Sequence, residues 1–264
     1  MASLDQHLEL DRCVLRYADS GAGARAVVFL HGAGADHVTF DAQAQRLRDA
    51  GDRVVELDLR GHGLSRPAGA PQTAQRFLAD VDALIDQLEL QRPVLVGHSL
   101  GGNIAQALVR ENPASYSGLV VIDSTWNTGP LSAVEKALLK SAAPLLGLIP
   151  ARSFARVMAN ASAVTEFARR DAERAFSVMT KQEFIAVWRA VTEFVEPDAD
   201  YRTPIPLLLI RGEKDGTGNI STAMPAWAAA DSAQHIVIPG AGHLVTQDAP
   251  DAVSDAIDDF LRTL

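Results

Sequence analysis

The sequence has one cysteine, no cluster of basic residues and no long apolar run. Because Cys13 stands alone, no disulfide can form within the chain. The seven histidines show neither an H-x-x-x-H pair nor a mixed Cys/His spacing, so we expect no bound metal and no other cofactor. The formal net charge of -9, without any Lys/Arg cluster, argues against nucleic acid or an anionic membrane as a partner.

Signals that direct a chain to or across a membrane are also missing. Residues 1–7 lack the charged and then apolar order of a signal peptide, and no apolar run approaches the length that spans a bilayer. We therefore expect a soluble, cytoplasmic protein, and the sequence leaves its oligomeric state open. With 264 residues, 47% of them hydrophobic, the chain fits one α/β domain with an insertion better than two independent domains.

Short apolar runs that alternate with helical patterns predict the fold. Two segments of strand-like content flank Asp11-Arg12, as in an N-terminal hairpin. Apolar residues at helical spacing lie at 77–88 and 253–264. Six further runs are of the kind that a parallel sheet buries on both faces: Ala26–Leu30, Val54–Leu57, Val94–Val96, Leu119–Ile122, Leu207–Ile210 and Ile236–Ile238. The alternation predicts an α/β protein with a doubly wound, mostly parallel sheet of eight strands.

A glycine-flanked serine is the most specific local motif. Gly97-His98-Ser99-Leu100-Gly101 stands directly between the apolar run that ends at Val96 and a helical pattern. A strand, G-x-S-x-G and a helix in succession are typical of a nucleophile elbow, a turn so tight that it lifts the serine above the sheet edge. Ser99 is therefore the candidate nucleophile. The alternative is a serine that caps an ordinary helix.

One stretch, from Trp126 to about Asp200, shows helical patterns but no strand. It follows the sixth predicted strand, so we expect a helical cap at 126–200 between core segments at 1–125 and 201–264. The stretch is rich in large apolar residues: Phe154, Phe167, Phe176, Phe184, Phe194, Trp126, Trp188, Met158 and Met179. Some of these are expected to line an apolar pocket over Ser99, although each also suits packing of the cap onto the sheet.

Three further motifs lie at predicted strand ends. They are His31-Gly32-Ala33-Gly34, the turn that runs from Asp58 to Ser65, and Gly242-His243. Together with the Ser99 turn, and in this order, they resemble the α/β-hydrolase fold family over essentially the whole chain. The resemblance implies the α/β-hydrolase fold and a serine nucleophile. It implies no particular substrate, because this fold carries many chemistries.

A serine nucleophile needs a base to take its proton, and the base needs a carboxylate to fix its tautomer. We predict His243 as the base, because it lies in a glycine-rich loop just beyond a buried strand. Asp215 and Asp123 compete for the role of the acid, since each follows a predicted strand. The order Ser, Asp, His and the position after the penultimate strand match the family pattern and favour Asp215. Asp123 also suits a capping role in the turn that leads into the cap.

Backbone N–H groups are expected to stabilise the oxyanion of an acyl-transfer intermediate. The resemblance assigns this role to Leu100, which follows the nucleophile, and to Ala33 in the His31-Gly32 loop. We expect substrate contacts from Gly32, His98, Trp126 and Trp188. The other histidines suit structural positions: His31 and His62 in their loops, and His7, His37 and His235 at ordinary surface or strand positions.

A serine at the elbow disfavours the dehalogenases and epoxide hydrolases of this fold, which have an aspartate there. We expect Ser99 to attack a small, largely apolar carboxylic ester or lactone and to form an acyl-enzyme, with His243 as general base and acid. C–C bond hydrolases or lyases and cofactor-free perhydrolases share the triad and remain alternatives. A C–C hydrolase of carboxylated substrates would need a cation in its pocket, for which the cap offers Arg152, Arg156, Lys181 and Arg189. A ligand sensor with slow turnover is a further alternative, which the intact set of catalytic residues does not favour.

Overall fold

Eight strands form one sheet: β1 (Gln6–Leu10), β2 (Cys13–Asp19), β3 (Ala26–Leu30), β4 (Arg53–Asp58), β5 (Val94–His98), β6 (Gly118–Ile122), β7 (Leu207–Gly212) and β8 (Gln234–Ile238). The structure, a computed structural model, describes residues 3–264. The spatial order is β1-β2-β4-β3-β5-β6-β7-β8. The first two strands form the predicted hairpin and β2 pairs antiparallel with β4, whereas all other neighbours are parallel. The predicted eight-stranded, mostly parallel sheet is confirmed.

The described residues contain ten α-helices: α1 (Asp41–Asp49), α2 (Ala74–Gln87), α3 (Leu100–Glu111), α4 (Ala133–Gly147), α5 (Phe154–Ser162), α6 (Glu166–Val178), α7 (Lys181–Glu193), α8 (Ile220–Asp231), α9 (Val245–Asp248) and α10 (Pro250–Leu261). Apolar residues of α2, α3 and α8 form the core on one face of the sheet, and those of α1 and α10 form it on the other. The sheet is therefore doubly wound, as predicted. The predicted C-terminal stripe is too long by one residue, because α10 ends at Leu261 and leaves Leu264 43% exposed.

Helices α4 to α7 form an insertion between β6 and β7, which confirms a helical insertion after the sixth strand. Capping boxes begin two of these helices, formed by Ser132 with Glu135 and by Thr180 with Glu183. Phe154, Phe176 and Phe184 pack edge to face in the core of the insertion: Phe184 has ring centroid distances of 5.3 Å to Phe154 and 5.5 Å to Phe176. The remaining large residues differ in position, since Phe194 and Met179 belong to the core of the sheet and Phe167 is 64% exposed.

The insertion is attached above the carboxyl edge of the parallel strands. Arg174 of α6 forms an ion pair of 2.7 Å with Asp36, which lies in the loop after β3. Asp248 of α9 accepts hydrogen bonds from the backbone N–H groups of Val164 and Thr165, just before α6. The loops that follow β3, β5, β6, β7 and β8 therefore lie beneath the insertion. Among the described residues, no helix combines the length and the apolar character needed to cross a membrane.

Candidate active site

Ser99 lies in the sharp turn between β5 and α3. Its backbone is strained for a non-glycine residue, with φ of 51° and ψ of -115°. The turn passes so close to its neighbours that a Cβ at Gly97 would lie 2.3 Å from the Gly101 carbonyl oxygen, and one at Gly101 would lie 1.8 Å from the Leu30 carbonyl oxygen. Only glycine fits at either position. The Ser99 N–H donates to the Ile122 carbonyl at 2.9 Å, which fixes the serine against β6.

The loop that follows β3 lies directly against this turn. A Cβ at Gly32 would come within 2.7 Å of His98 Nδ1 and 3.2 Å of Ser99 Cβ. His31 is buried and holds the loop, because its Nδ1–H donates to the Gly32 carbonyl at 2.8 Å and its Nε2 accepts the Leu59 N–H at 2.9 Å. Burial lowers the pKa of His31, so this ring is neutral and suited to structure rather than to acid-base chemistry.

The two residues predicted to supply oxyanion donors both lie near Ser99: Leu100 follows it in the chain and Ala33 lines the same cavity. Leu100 is the first residue of α3, and the first N–H groups of a helix have no acceptor within the helix. Ala33 lines the same cavity as Ser99, on the opposite loop. The small side chain of Ala33 leaves that cavity open beside the serine.

His243 and Asp215 form a buried hydrogen-bonded pair on the loops after β8 and β7. His243 Nδ1 lies 3.0 Å from Asp215 Oδ2, and Asp215 Oδ1 accepts the Thr217 N–H at 2.8 Å. Burial alone would raise the pKa of Asp215, but the His243 ring and the Thr217 donors outweigh it and hold the pKa below its usual range. Asp215 is therefore an ionised acceptor, and His243 Nδ1 carries the proton between them. The basic Nε2 of His243 is left for the cavity, which the ring also lines.

Asp123, the competing carboxylate, follows β6 and is fully buried. Its Oδ1 accepts the Gly212 N–H of β7 at 2.9 Å. Of the two carboxylates, Asp215 is therefore the one that hydrogen-bonds directly to His243. Asp123 lies beside this pair. The suggestion that the Asp123 side chain caps the turn after β6 is wrong. Its hydrogen-bond partner is the Gly212 N–H, which belongs to the neighbouring strand.

His98, Asp123 and His243 form a cluster that could in principle bind a metal. One nitrogen or carboxylate oxygen from each residue lies within 4.8 Å of the other two. In each imidazole ring, one nitrogen already makes a hydrogen bond. His98 Nε2 donates to the His243 carbonyl at 2.8 Å, and His243 Nδ1 donates to Asp215. Burial and the neighbouring His243 lower the pKa of His98 to about 3. These hydrogen bonds account for the cluster, and we assign it no metal.

A second structural site was missed by the sequence analysis. His37 is not an ordinary surface residue, because its Nδ1 lies 2.8 Å from Asp58 Oδ1 and its backbone N–H donates to the same oxygen. Asp58 Oδ2 also accepts the Leu64 N–H. Burial lowers the pKa of His37, but the hydrogen bond and the charge of Asp58 outweigh it and raise the pKa overall. The pair holds the 58–65 turn against the loop after β3. Within that turn His62 is buried, and its pKa falls to about 3.

The cavity above Ser99 has two parts, with volumes of about 580 Å³ and 360 Å³. Gly32, His98 and His243 line the larger part, Trp126 lines the smaller, and Trp188 lines both. The four predicted substrate contacts thus all lie on the cavity wall. Further wall residues that the sequence analysis did not single out are shared by both parts: Ala142, Leu145 and Thr217. The apolar pattern of α4 contained the signal for two of them, but the direction in which that helix faces was not predictable.

Several known proteins are similar to this chain in sequence or in fold. The sn-1-specific diacylglycerol lipase ABHD11 of Mus musculus is 30% identical over 262 residues, which cover 92% of this chain and 83% of that protein. The dihydrolipoyllysine-residue acetyltransferase component of the acetoin cleaving system of Cupriavidus necator is 32% identical over 154 residues, which cover 55% of this chain and only 41% of that longer protein. A thermophilic esterase from Thermogutta terrifontis superposes with a TM-score of 0.82 at 25% identity and covers 98% of both chains.

The family comparison covers nearly all of the core described above. The pattern of the Alpha/beta hydrolase family matches residues 27–256, from β3 to α10, and includes every loop at the carboxyl edge. The sheet order, the helical insertion after β6 and the elbow at Ser99 are consistent with this match. The chain therefore belongs to the alpha/beta hydrolase family.

Proposed function

We propose that this protein hydrolyses carboxylic esters or lactones through an acyl-enzyme on Ser99. The observation that carries the proposal is the 3.0 Å hydrogen bond between His243 and Asp215, on loops that meet the strained Ser99 turn at one cavity. A nucleophile, a base with one free ring nitrogen and an ionised acid are the three groups that acyl transfer requires. In this proposal residues 1–125 and 201–264 are the catalytic core and residues 126–200 are the cap.

The reaction begins when Ser99 Oγ attacks the ester carbonyl and passes its proton to His243 Nε2. Asp215 stabilises the imidazolium that results. The N–H groups of Leu100 and Ala33 stabilise the negative oxygen of the tetrahedral intermediate, an effect worth about 3 kcal/mol for one such donor. The intermediate collapses, the C–O bond to the alcohol breaks, and His243 gives its proton to the leaving oxygen. Water, deprotonated by His243, then hydrolyses the acyl-enzyme and restores Ser99.

The cavity favours uncharged, largely apolar substrates. Its walls come mainly from apolar residues of α4 to α7 and from the aromatic rings of Phe176, Phe184 and Trp188. Lys214 is the single lysine or arginine among the wall residues that the structure describes, and it is exposed at the surface. The two parts of the cavity meet at Ser99, so one can take the acyl group and the other the alcohol.

Hydrolysis of C–C bonds in carboxylated substrates fits this cavity less well. None of the four cap cations considered above lines either part of it. Arg152, Arg156 and Arg189 are exposed, and Lys181 donates instead to the carbonyls of Gly147 and Ile149. A carboxylate bound near Ser99 would therefore lack a cationic partner from this set, and the exposed Lys214 would be its one cation among the described wall residues.

The test is turnover of p-nitrophenyl esters of increasing acyl length and of small lactones, with Ser99→Ala as the matched control. We expect turnover that the control lacks, and a fluorophosphonate probe should add its mass to the peptide that contains Ser99. Failure of every ester and lactone, with a folded protein, would contradict the proposal. Peracid formed when hydrogen peroxide is added would instead support perhydrolysis, and tight binding without turnover would support a sensor.

A further inference from the structure

Asp123 has an unusual position for a carboxylate that takes no direct part in the proposed reaction. It is a non-glycine residue with φ of 41°, in the left-handed region that side chains disfavour. The residue is held there on both sides, because its N–H donates to the Ile210 carbonyl at 2.9 Å and its Oδ1 accepts the Gly212 N–H. Backbone strain of this kind persists only where the surroundings enforce it, and it is concentrated at functional sites.

The second oxygen of Asp123 faces no donor. Oδ2 is buried and has no hydrogen-bond partner among the donors of the described residues. The neighbouring group is instead the Asp215 carboxyl, whose own oxygens are bound to His243 and Thr217. Asp123 has an oxygen within 4.8 Å of a His243 ring nitrogen, and Gly212, which donates to Asp123, also accepts the Asp215 N–H. Two oxygens of facing carboxylates repel each other unless a proton lies between them.

We propose that Asp123 keeps its proton and donates an O–H hydrogen bond to Asp215, which makes it a positioning residue for the acid of the triad. The inference rests on the proposed function, in which Asp215 orients His243. With its proton, the buried Oδ2 of Asp123 becomes a hydrogen-bond donor instead of an oxygen without a partner. The added hydrogen bond holds the Asp215 carboxyl in place together with those to His243 and Thr217. Asp123 then acts through Asp215 and touches neither substrate nor the reacting atoms.

The electrostatic surroundings support this division of charge. Burial raises the pKa of Asp123 well above its usual range, the charge of Asp215 raises it further, and the Gly212 N–H opposes the shift. The other charged or titratable groups that face it are His98, His243 and Arg211. His98 is neutral at ordinary pH. The Arg211 guanidinium donates to the carbonyls of Gly212 and Glu213, and its charge is a smaller effect that opposes the rise in the pKa of Asp123. The pair therefore carries one negative charge rather than two.

The number of negative charges beside His243 affects its proposed role as the base. A second carboxylate with an oxygen within 4.8 Å of a His243 ring nitrogen would favour the charged imidazolium over the neutral ring. The neutral ring, which is the form that can accept the Ser99 proton, would then be disfavoured. A neutral Asp123 orients Asp215 without this penalty.

The first experiment compares the pH dependence of kcat/KM in the wild type and in Asp123→Asn. Asparagine is neutral, can donate from its amide to Asp215 and can still accept the Gly212 N–H. If Asp123 is neutral, the acid limb that reports His243 stays in place. If Asp123 is ionised, the substitution removes a negative charge beside His243 and shifts this limb to lower pH by about one unit, which would overturn the proposal. Asp82→Asn, which removes a half-buried carboxylate on α2, is the matched control.

A second comparison separates orientation from packing. Asp123→Ala removes the donor, and we expect kcat to fall about tenfold with little change in KM. Asp123→Asn should recover most of that loss, because it replaces the donor. Equal kcat values for the wild type and Asp123→Ala, or equal losses in both variants, would contradict a positioning role. The Tm of each variant shows whether the loss reflects unfolding.

Infrared spectroscopy tests the proton itself and needs no activity. In a Ser99→Ala background, the difference spectrum against Ser99→Ala/Asp123→Asn at neutral pH should contain the carbonyl stretch of a protonated carboxylic acid. A difference that contains only carboxylate bands would overturn the proposal. Because this experiment does not depend on turnover, failure of the esterase assay and failure of the proton assignment are distinguishable.

Discussion

Ser99 and His243 carry the proposed chemistry without holding the sheet together. Ser99 is half-buried at the cavity and His243 lies on a loop, so neither side chain contributes to the two apolar cores. We expect Ser99→Ala and His243→Ala each to lower kcat by about 10⁴-fold or more. Circular dichroism and Tm should remain close to the wild type. Activity within tenfold of the wild type in either variant would show that the roles are wrongly assigned, where tenfold corresponds to about 1.4 kcal/mol.

Asp215 and Asp123 differ in the hydrogen bond that each carboxylate makes. Asp215 bonds to the His243 ring, whereas Asp123 bonds to a backbone N–H of β7. We expect Asp215→Asn to reduce kcat by about 10³-fold to 10⁴-fold, because the amide favours the wrong tautomer of His243. Asp123→Asn should be mild by comparison. Steady-state kinetics of both variants with one ester decide the question, and a reversed order of effects would make Asp123 the acid.

The His37–Asp58 pair predicts a pH-dependent stability. The pKa of His37 is raised in the folded protein, so its contribution to the free energy of unfolding is fully present below the unfolded pKa of about 6.5 and is lost as pH rises through the folded pKa. Urea unfolding of the wild type and His37→Ala should therefore show a larger difference near pH 6 than near pH 9. A difference that is constant with pH, or larger at pH 9, would exclude a charged pair.

The residues of the site differ in how far the sequence predicts them. Ser99, Asp215 and His243 are predictable as candidates because glycines and strand ends mark their positions. The contacts of His37 with Asp58 and of Asp123 with Gly212 join residues that are 21 and 89 positions apart. Such contacts depend on how neighbouring strands and loops are aligned in space. No local pattern encodes that alignment, so neither contact is predictable from the sequence.

At the scale of elements, the turn around Ser99 depends on the absence of side chains at its glycines. A Cβ at Gly101 would meet the backbone oxygen of Leu30, which cannot move without disturbing β3. We expect Gly101→Ala to destabilise the protein by about 3 kcal/mol and to lower activity, because the elbow must shift. Gly147→Ala at the end of α4, where a Cβ would meet nothing within 4 Å, is the control. Equal Tm values for the two variants would contradict the account of the turn.

Strands and core helices were predictable because each carries a strong periodic signal. The buried strands are short apolar runs, and α2 presents Phe77, Val81 and Leu84 on one face. The orientation of the helices in the insertion is not predictable in the same way. Apolar residues of α4 to α7 contact the core, one another or the cavity, and Phe167 contacts solvent instead. Helical periodicity predicts that these helices exist but not which apolar residue faces the serine.

At the scale of the whole molecule, the insertion and the sheet together create the cavity. Ser99 and the loop after β3 form its floor, and α4, α5, α6 and α7 supply its walls. The ion pair of Arg174 with Asp36 and the contacts of Asp248 fix the insertion to the loops that carry the site. The preference among substrates should therefore be set by residues of the insertion, while the rate of the chemical step is set by the sheet loops.

Trp188 of α7 tests this division, because it lines both parts of the cavity and contacts the ring of Phe184 at a centroid distance of 6.4 Å. Its truncation joins the two parts into a wider space. We expect Trp188→Ala to raise kcat/KM for long-acyl p-nitrophenyl esters relative to the acetate by about tenfold, since one methylene in an apolar pocket changes discrimination by that order.

Phe167→Ala, which removes an exposed ring from the same insertion, should leave the chain-length profile of the wild type unchanged. Rates of fluorophosphonate labelling at Ser99 report whether the nucleophile itself is disturbed in either variant. A Trp188→Ala profile that is the same as that of Phe167→Ala would mean that the walls of this cavity do not select the acyl group. Selection would then have to arise at the floor, from the Gly32 loop and His98, where the proposed oxyanion donors and the proposed base leave less room for variation.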